Sequence, residues 1–324
     1  MKLILKTMVL FLFLIVAGVS ALGLFLYFKN GHIGVETDYG ASIFLKDKPV
    51  PLAEPLTVKM VTFNIQDLFV VGKNCPARMR HIARVLGDLD PDIVGFQESF
   101  IGKDREVLIR ALETTRLRHH QYYASSVGGS GLLISSAWPI REVFYHRYSV
   151  SGPPQRIWEG DFWAGKGVAL ARIETPAGML DFYNTHAQAG YGRSSYREVR
   201  RTQMAELAAF MNGSRTQVAP AFLVGDMNCG IGEVDYETAA GDAGLTRLMA
   251  MDSRIDHIFA ARNDHHASEV LDTVMISERI SEDGMVFGLS DHPGYMSTIR
   301  ITPSATAVEP MVVTRAVAAA GASS

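Results

Sequence analysis

Cysteine is almost absent: Cys75 and Cys229 are the two in 324 residues. Two thiols exclude a disulfide framework. They leave either one bridge, formed in an oxidising compartment, or two unpaired buried thiols. Cys229 has no general base beside it in sequence, and no other Cys or Ser stands out as a nucleophile. An excess of charge of one sign is also missing, since 31 Lys and Arg face 34 Asp and Glu for a net −3. That balance does not suggest a nucleic-acid binder, which usually carries a strongly basic domain or stripe. A small basic cleft still fits inside a neutral average. No internal repeat is visible.

What is present is an ordinary globular composition, 48% apolar and 20% charged, enough for a sizeable core. The length suits one large domain or two small ones. Charge is missing altogether from Met8 to Phe28, a run of Leu, Phe, Val and Ala long enough to cross a hydrocarbon core as a helix. Lys2 and Lys6 precede it and Lys29 follows, which favours a cytoplasmic N-terminus. The rival reading is a cleaved signal peptide with Val19-Ser20-Ala21 as its small-residue site; the apolar run continues through Leu22–Phe28, which favours an anchor. A buried core helix ranks below both. Either of the first two readings puts the remaining chain outside the cytoplasm, membrane-anchored or secreted.

The chain divides into a membrane segment at 1–30, a linker at 31–56, a domain at 57–301 and a tail at 302–324. The linker holds Gly31, Gly34, Gly40, Pro49, Pro51 and Pro55. The tail is Ala-, Val- and Ser-rich, the composition of a disordered segment. Val58–Phe63 reads as a strand ending at Asn64. Met79, Ile82, Leu86 and Leu89 repeat at helical spacing and predict a helix over 77–89, stopped by Asp90-Pro91. Ile93–Phe96 is a short apolar strand ending in Gln97-Glu98, followed by a helix over 104–113. Residues 131–135, 221–224, 255–260 and 295–301 read as strands. Residues 167–174 and 179–184 form a hairpin around Thr-Pro-Ala-Gly, and 195–211 an amphipathic helix. Hairpins beside strand–helix units imply a layered α/β or α+β domain rather than a purely parallel sheet.

Polar and ionisable residues repeatedly read as sitting just after strands: Asn64, Glu98, His186, Asp226 with Asn228, Asp256, and Asp291 with His292. Strand ends let side chains converge from distant positions on a rigid frame. Oxygen donors suit Mg²⁺, Mn²⁺ or Ca²⁺, whereas Zn²⁺ calls for more His or Cys. Histidines among carboxylates suit proton transfer near neutral pH. Taken singly, an Asp after a strand is more often a turn or cap residue than a ligand.

Taken together, six motifs carry a resemblance. Thr62-Phe63-Asn64, Gln97-Glu98, Asn184-Thr185-His186, Gly225-Asp226-Met227-Asn228, Ile255-Asp256-His257 and Ser290-Asp291-His292 occur in the order of the endonuclease/exonuclease/phosphatase superfamily. The resemblance spans about residues 57–301. It implies a four-layer α/β sandwich, two mixed sheets face to face with helices outside. Within the superfamily the chain looks most like the neutral sphingomyelinases. Lys166-Gly167-Val168 resembles the Lys-Gly segment of that branch. Thr185-His186-Ala187-Gln188-Ala189 resembles its Thr-His-Leu-Gln-Ala motif, with Ala187 for Leu, and His257 stands where Tyr is more usual.

The resemblance implies a Mg²⁺-dependent phosphodiesterase, Mn²⁺ or another divalent cation also being possible. It implies Glu98, Asn64 and Asp291 as metal ligands. His292 would be the general base, oriented by Asp256. Asp226 and Asn228 would position nucleophile and phosphate, and His186 would assist the leaving group or the developing charge. Lys166 would contact the substrate phosphate.

All three tryptophans, Trp138, Trp158 and Trp163, fall between residues 138 and 166 with Phe144, Tyr145, Tyr148 and Phe162. Such aromatics suit a lipid–water interface or a packed interior. Trp138 reads as packed, and 157–163 is open between the two. Arg193, Arg197, Arg200 and Arg201 read as a solvated helix face or a basic patch. Three functions follow: a sphingomyelinase-like lipid phosphodiesterase acting on a membrane lipid, an extracytoplasmic nuclease of the same superfamily, and an anchored interaction protein without catalysis. The retained acidic and histidine set ranks the last below the others, and the charge balance ranks nucleic acid below lipid. Oligomeric state is not legible.

Overall fold

The structure, a computed structural model, describes residues 2–30, 39–42, 50–69, 71–282 and 284–304. Two six-stranded mixed sheets face one another. The first runs in the order β11-β14-β1-β2-β4-β3, with β1 Leu56–Asp67, β2 Ile93–Ser99, β3 His119–Tyr122, β4 Leu133–Ser136, β11 His266–Ile276 and β14 Gly294–Pro303. The second runs β5-β6-β7-β8-β10-β9, with β5 Ile140–Arg147, β6 Gly167–Thr175, β7 Gly178–His186, β8 Ala221–Asp226, β9 Leu245–Arg247 and β10 Asp256–Ala261. A separate hairpin pairs β12 (Arg279–Glu282) with β13 (Met285–Gly288).

The layers follow from which faces are apolar. Met60, Ile93, Ala171, Phe182, Phe222, Val224 and Ile299 fill the space between the sheets. Outside the first sheet lie α2 (Cys75–Leu89) and α3 (Gly102–Leu112). Met79, Ile82 and Leu86, spaced for one helix face, pack there on Val94 and Phe96. Asp90, left-handed at φ 53°, ends α2 by donating its N–H to Leu86 O. Outside the second sheet lie α4 (Ser195–Ser214) and α5 (Val234–Asp242), with Met204, Leu207 and Met211 on Tyr183 and Leu223. Helix, sheet, sheet, helix is the four-layer sandwich the resemblance implies. Trp138 packs against the central core.

The sheets press close at Gly95. A Cβ there would lie 2.5 Å from Val224 Cγ2 and 3.0 Å from Asn184 Cγ. A polar seam crosses the gap beside it: Asn184 Nδ2 donates to Phe96 O at 2.9 Å, and Gln97 Nε2 donates to Asn184 Oδ1 at 2.7 Å. β1 runs parallel to β2 and β7 parallel to β8, while β14, β6 and β10 run antiparallel to their neighbours. The C-terminal ends of β1, β2, β7 and β8 therefore share one end of the sandwich with the N-terminal ends of β6, β10 and β14.

α1 (Lys2–Asn30) has a 25-residue stretch, Lys6–Asn30, long and apolar enough to cross a membrane, and its apolar window is not buried by the domain. Its last turn meets the sandwich. Asn30 Nδ2 donates to Phe162 O at 3.1 Å, Val127 N donates to Asn30 Oδ1 at 3.1 Å, and the Tyr27 and Phe162 rings stack at 5.7 Å. Of the stretch expected as a linker, Leu52 is buried in the core and its N–H donates to His266 Nε2 at 2.9 Å. Most of residues 31–49, and the tail from 305, lie outside the described residues. Cys75 and Cys229 are free and buried.

β3, β5, β9, β11, β12, β13 and α5 were not legible in the sequence pattern. Replacing Gly95 with Ala should lower unfolding free energy by about 1–3 kcal/mol through overpacking against Val224. Denaturant titration checks this, with an unchanged midpoint counting against the close approach.

Candidate active site

The local backbone is bent to deliver the side chains. The pairing of β1 with β2 shifts register between Asn64 and Asp67, and Gln66 takes φ 47°. Such bulges re-aim side chains beside sites. Asn64 accepts from Gln66 N at 3.1 Å and donates through Nδ2 to Asp226 Oδ2 at 3.0 Å, crossing from one sheet to the other. Glu98 closes β2 at φ 58°, and Asn228 follows β8 at φ 52°. The left-handed region suits Asn but strains Glu, and strain of about 1–3 kcal/mol persists where the surroundings over-determine it. Asp226 Oδ1 accepts from Asn228 N at 3.0 Å, and Asn228 Nδ2 donates to Ala187 O at 3.0 Å.

Two histidines differ in their partners. His292 Nδ1 lies 3.0 Å from Asp256 Oδ2, and its Nε2 lies 3.9 Å from Asp226 Oδ2. His186 is buried, with Nε2 facing Asp226 at 3.7 Å and Glu98 at 3.8 Å. That same Nε2 lies 3.0 Å from Lys166 Nζ, which also donates to Ala187 O at 2.8 Å and pairs with Asp161. Because an ammonium can only donate, His186 Nε2 accepts and its proton sits on Nδ1. Asp161 in turn accepts from Gln188 Nε2 at 2.6 Å.

The electrostatics follow. Burial pushes Glu98 up to about 7; Asp226 and Asp291 push the same way, against Lys166 and Asn64. Burial, with Asp226 and Asp291 adding to it, also raises Asp256 to about 7, against His292. Asp226 is raised by burial as well. Burial alone would lower His292, but the Asp256 hydrogen bond and the charges of Asp226, Asp256 and Asp291 lift it to about 9. His186 goes the other way, well below its usual range, through burial and the charges of Lys166 and His292. One imidazole is thus held neutral and the other carries a proton.

The residues present fit a divalent cation. Ligand atoms of Asp226, Asp256 and His292 all lie within 4.8 Å of one another, and Asp256 Oδ1 is buried without a hydrogen-bond partner. Carboxylates crowded so that two retain protons near neutrality are short of positive charge, which a hard cation on oxygen ligands supplies.

Of the residues expected at the site, Asn64, Glu98, Lys166, His186, Asp226, Asn228, Asp256 and His292 gather at one end of the sandwich. Asp291 is exposed on the rim, with Ser290 Oγ at 3.2 Å from its Oδ1. Lys166, expected to face a phosphate, is buried and tied to Asp161, His186 and Ala187. Arg200 leaves the expected solvated face and bonds Asp235 at 2.7 Å. Two further residues have no role assigned from the sequence. Asp161 alternates with Glu159 among aromatics, a pattern that fits a hairpin or a site rim, and pairs with Lys166. Arg78 sits on α2, and its guanidinium donates to Ile65 O (2.6 Å), Gln66 O (2.7 Å), Lys73 O (2.9 Å) and Leu289 O (2.8 Å). It clamps the end of β1 to the loop carrying Asp291 and His292.

Comparison with known proteins agrees with this fold. The sequence profile described as "Endonuclease/Exonuclease/phosphatase family" matches residues 61–292. A putative neutral sphingomyelinase of Drosophila melanogaster is 29% identical over 273 residues, 76% of this chain and 61% of that protein. An inositol phosphosphingolipids phospholipase C of Schizosaccharomyces pombe is 34% identical over 139 residues, 43% of this chain and 32% of that protein. The chain thus spans about three-fifths of the first relative and a third of the second. A doubly substituted beta toxin of Staphylococcus aureus, crystallised with bound magnesium ions, superposes with TM-score 0.60 at 16% identity, over 75% of this chain and 99% of that one. That likeness establishes the fold.

A raised carboxyl pKa means that the folded state holds protons the unfolded state has released. Without a cation, the contribution of Glu98 and Asp256 to stability is present below about pH 4 and lost as pH rises through about 7. Melting the EDTA-treated protein with and without Mg²⁺ should therefore show a larger gain in Tm at pH 8 than at pH 5. An equal gain at both would count against a cation that relieves the crowding of these carboxylates.

Proposed function

The chain belongs to the endonuclease/exonuclease/phosphatase family, and on that premise we propose that it is a divalent-metal-dependent phosphodiesterase. In this reading it hydrolyses the head-group ester of a membrane sphingolipid, as a phospholipase C does. The observation that carries the reaction type is the Asp256–His292 pair, whose free Nε2 points at Asp226 in the cluster joined to Asn64 and Glu98. The matches to a neutral sphingomyelinase and to an inositol phosphosphingolipids phospholipase C support the substrate class.

Glu98, Asn64 and Asp291 would hold the cation, with Asp226 close by. When bound, the cation offsets charge on the phosphate oxygens and the leaving alkoxide and counters the carboxylates that keep His292 protonated. His292 Nε2 takes the proton of the attacking water, while Asp256 on Nδ1 fixes the tautomer and stabilises the imidazolium. Asp226, fixed by Asn64 and the Asn228 N–H, orients the water. Asn228 and Lys166 lend positive potential to the phosphate, Lys166 through its bond to His186. His186, neutral and packed behind the cluster, holds that ammonium in place. The catalytic domain lies outside the cytoplasm in this reading, held by α1 or released from it.

The full chain in mixed micelles with Mg²⁺ should release phosphocholine from sphingomyelin, or the phosphoinositol head group from an inositol sphingolipid. Hydrolysis of DNA with no lipid turnover would overturn the substrate class. His292→Ala should lower kcat by about a hundred- to ten-thousandfold, the usual weight of a general base. Wild-type turnover by that variant would remove His292 from the role. The kcat/KM of the wild type should rise with pH as His292 loses its proton, and the limb should disappear in His292→Ala.

A further inference from the structure

Large apolar side chains stand in solvent on the loops at the site's end of the sandwich. Phe69 and Val71, 72% and 58% exposed, follow β1; Tyr191, 48%, follows β7; Ile231, 56%, follows β8. Ile157 and Trp158, 70% and 79% exposed, lie in the loop that enters β6. Each of these loops leaves the same end of the sandwich, the end where Asn64, Glu98, His186 and Asp226 are delivered. Single exposed apolar residues need no explanation, but a set gathered around one opening marks an interaction surface.

The last turn of α1 settles what covers it. Tyr27 stacks on Phe162, Asn30 bonds Phe162 O and Val127 N, and Arg147 at the end of β5 donates to Asn30 O. Trp158 lies four residues before Phe162, and tight turns join them: Glu159 N donates to Arg156 O, and Trp163 N and Ala164 N both donate to Gly160 O. The residue at which the membrane-length helix ends is thus built into the rim of the mouth. Trp158, an aromatic suited to a lipid–water boundary, projects from the same loop.

We propose that this rim rests on the bilayer that α1 enters, so that the site takes its lipid in cis. The occupant of the apolar rim is a lipid surface, with Ile157 and Trp158 at the interface. The docking stands on the rim and the helix alone; only the identity of the lipid consumed rests on the functional reading above.

The test uses the full chain reconstituted in vesicles of brominated phosphatidylcholine. Bromolipid quenching of tryptophan emission should be strong in the wild type and largely lost in Trp158→Phe, which keeps Trp138 and Trp163. Equal quenching of both proteins would overturn the proposal. In vesicles containing sphingomyelin, Ile157→Glu with Trp158→Glu should slow lipid turnover about tenfold, the effect of losing ~1.4 kcal/mol of interfacial binding. Turnover of soluble bis(4-nitrophenyl) phosphate should stay unchanged. Unaltered lipid turnover would count against docking, as would equally fast hydrolysis of sphingomyelin held in separate vesicles. If no phosphodiester is hydrolysed, the functional reading falls, and the quenching comparison judges the docking independently.

Discussion

The hydrogen bond from Asn64 Nδ2 to Asp226 Oδ2 joins a strand of one sheet to a strand of the other, at the end where the apolar core between them stops. A carboxylate as buried as Asp226 is costly without partners, so its position is fixed by the groups that satisfy it. Those groups are Asn64 and the Asn228 N–H. The seam of Gln97, the register partner of Asn64, and Asn184 keeps the sheets at the spacing the bond requires. His292 and His186 both take their distance from Asp226, and Glu98 takes its charge environment from it. A loss of register in either sheet would separate the carboxylates that share this space.

The two histidines show how one cavity sets opposite protonation states. His186 is buried against an ammonium, and both burial and the neighbouring positive charge disfavour a second cation there. His292 is partly open and surrounded by Asp256, Asp226 and Asp291, which outweigh the burial. Tautomers follow from the same partners: Lys166 claims His186 Nε2, and Asp256 claims His292 Nδ1. The resemblance implied the Asp256–His292 pair, whereas the hold of Lys166 on His186 came only from the structure.

The strand ends were readable because each pairs a short β-branched or aromatic run with a polar terminus. Asn64, Glu98, His186 and Asp226 follow that grammar, whereas Asp256 opens β10. The order of the motifs added the sandwich, which local patterns could not supply. Strand β11 escaped notice because it is an edge strand with a bulge between Val270 and Asp272, and its exposed positions break the alternation. Asp161 escaped because its meaning comes from Lys166 across a loop, and Arg78 because it occupies a helix position that normally points a charge into water. The seating of Leu52 in the core was likewise hidden, since Gly and Pro around it signal a connection and say nothing of what one leucine in it touches.

Arg78 has a consequence for how the chain tolerates change. One guanidinium closes four carbonyl valences, drawn from the end of β1, from Lys73 ahead of α2 and from the approach to His292. Lysine has the charge but not the planar fork, and would leave several of those carbonyls without a donor. An exchange at position 78 therefore costs more than one on the open side of α2, where Arg80 and Arg84 make exposed ion pairs. One side chain away from the carboxylate cluster thus holds together the two segments that deliver Asn64 and His292.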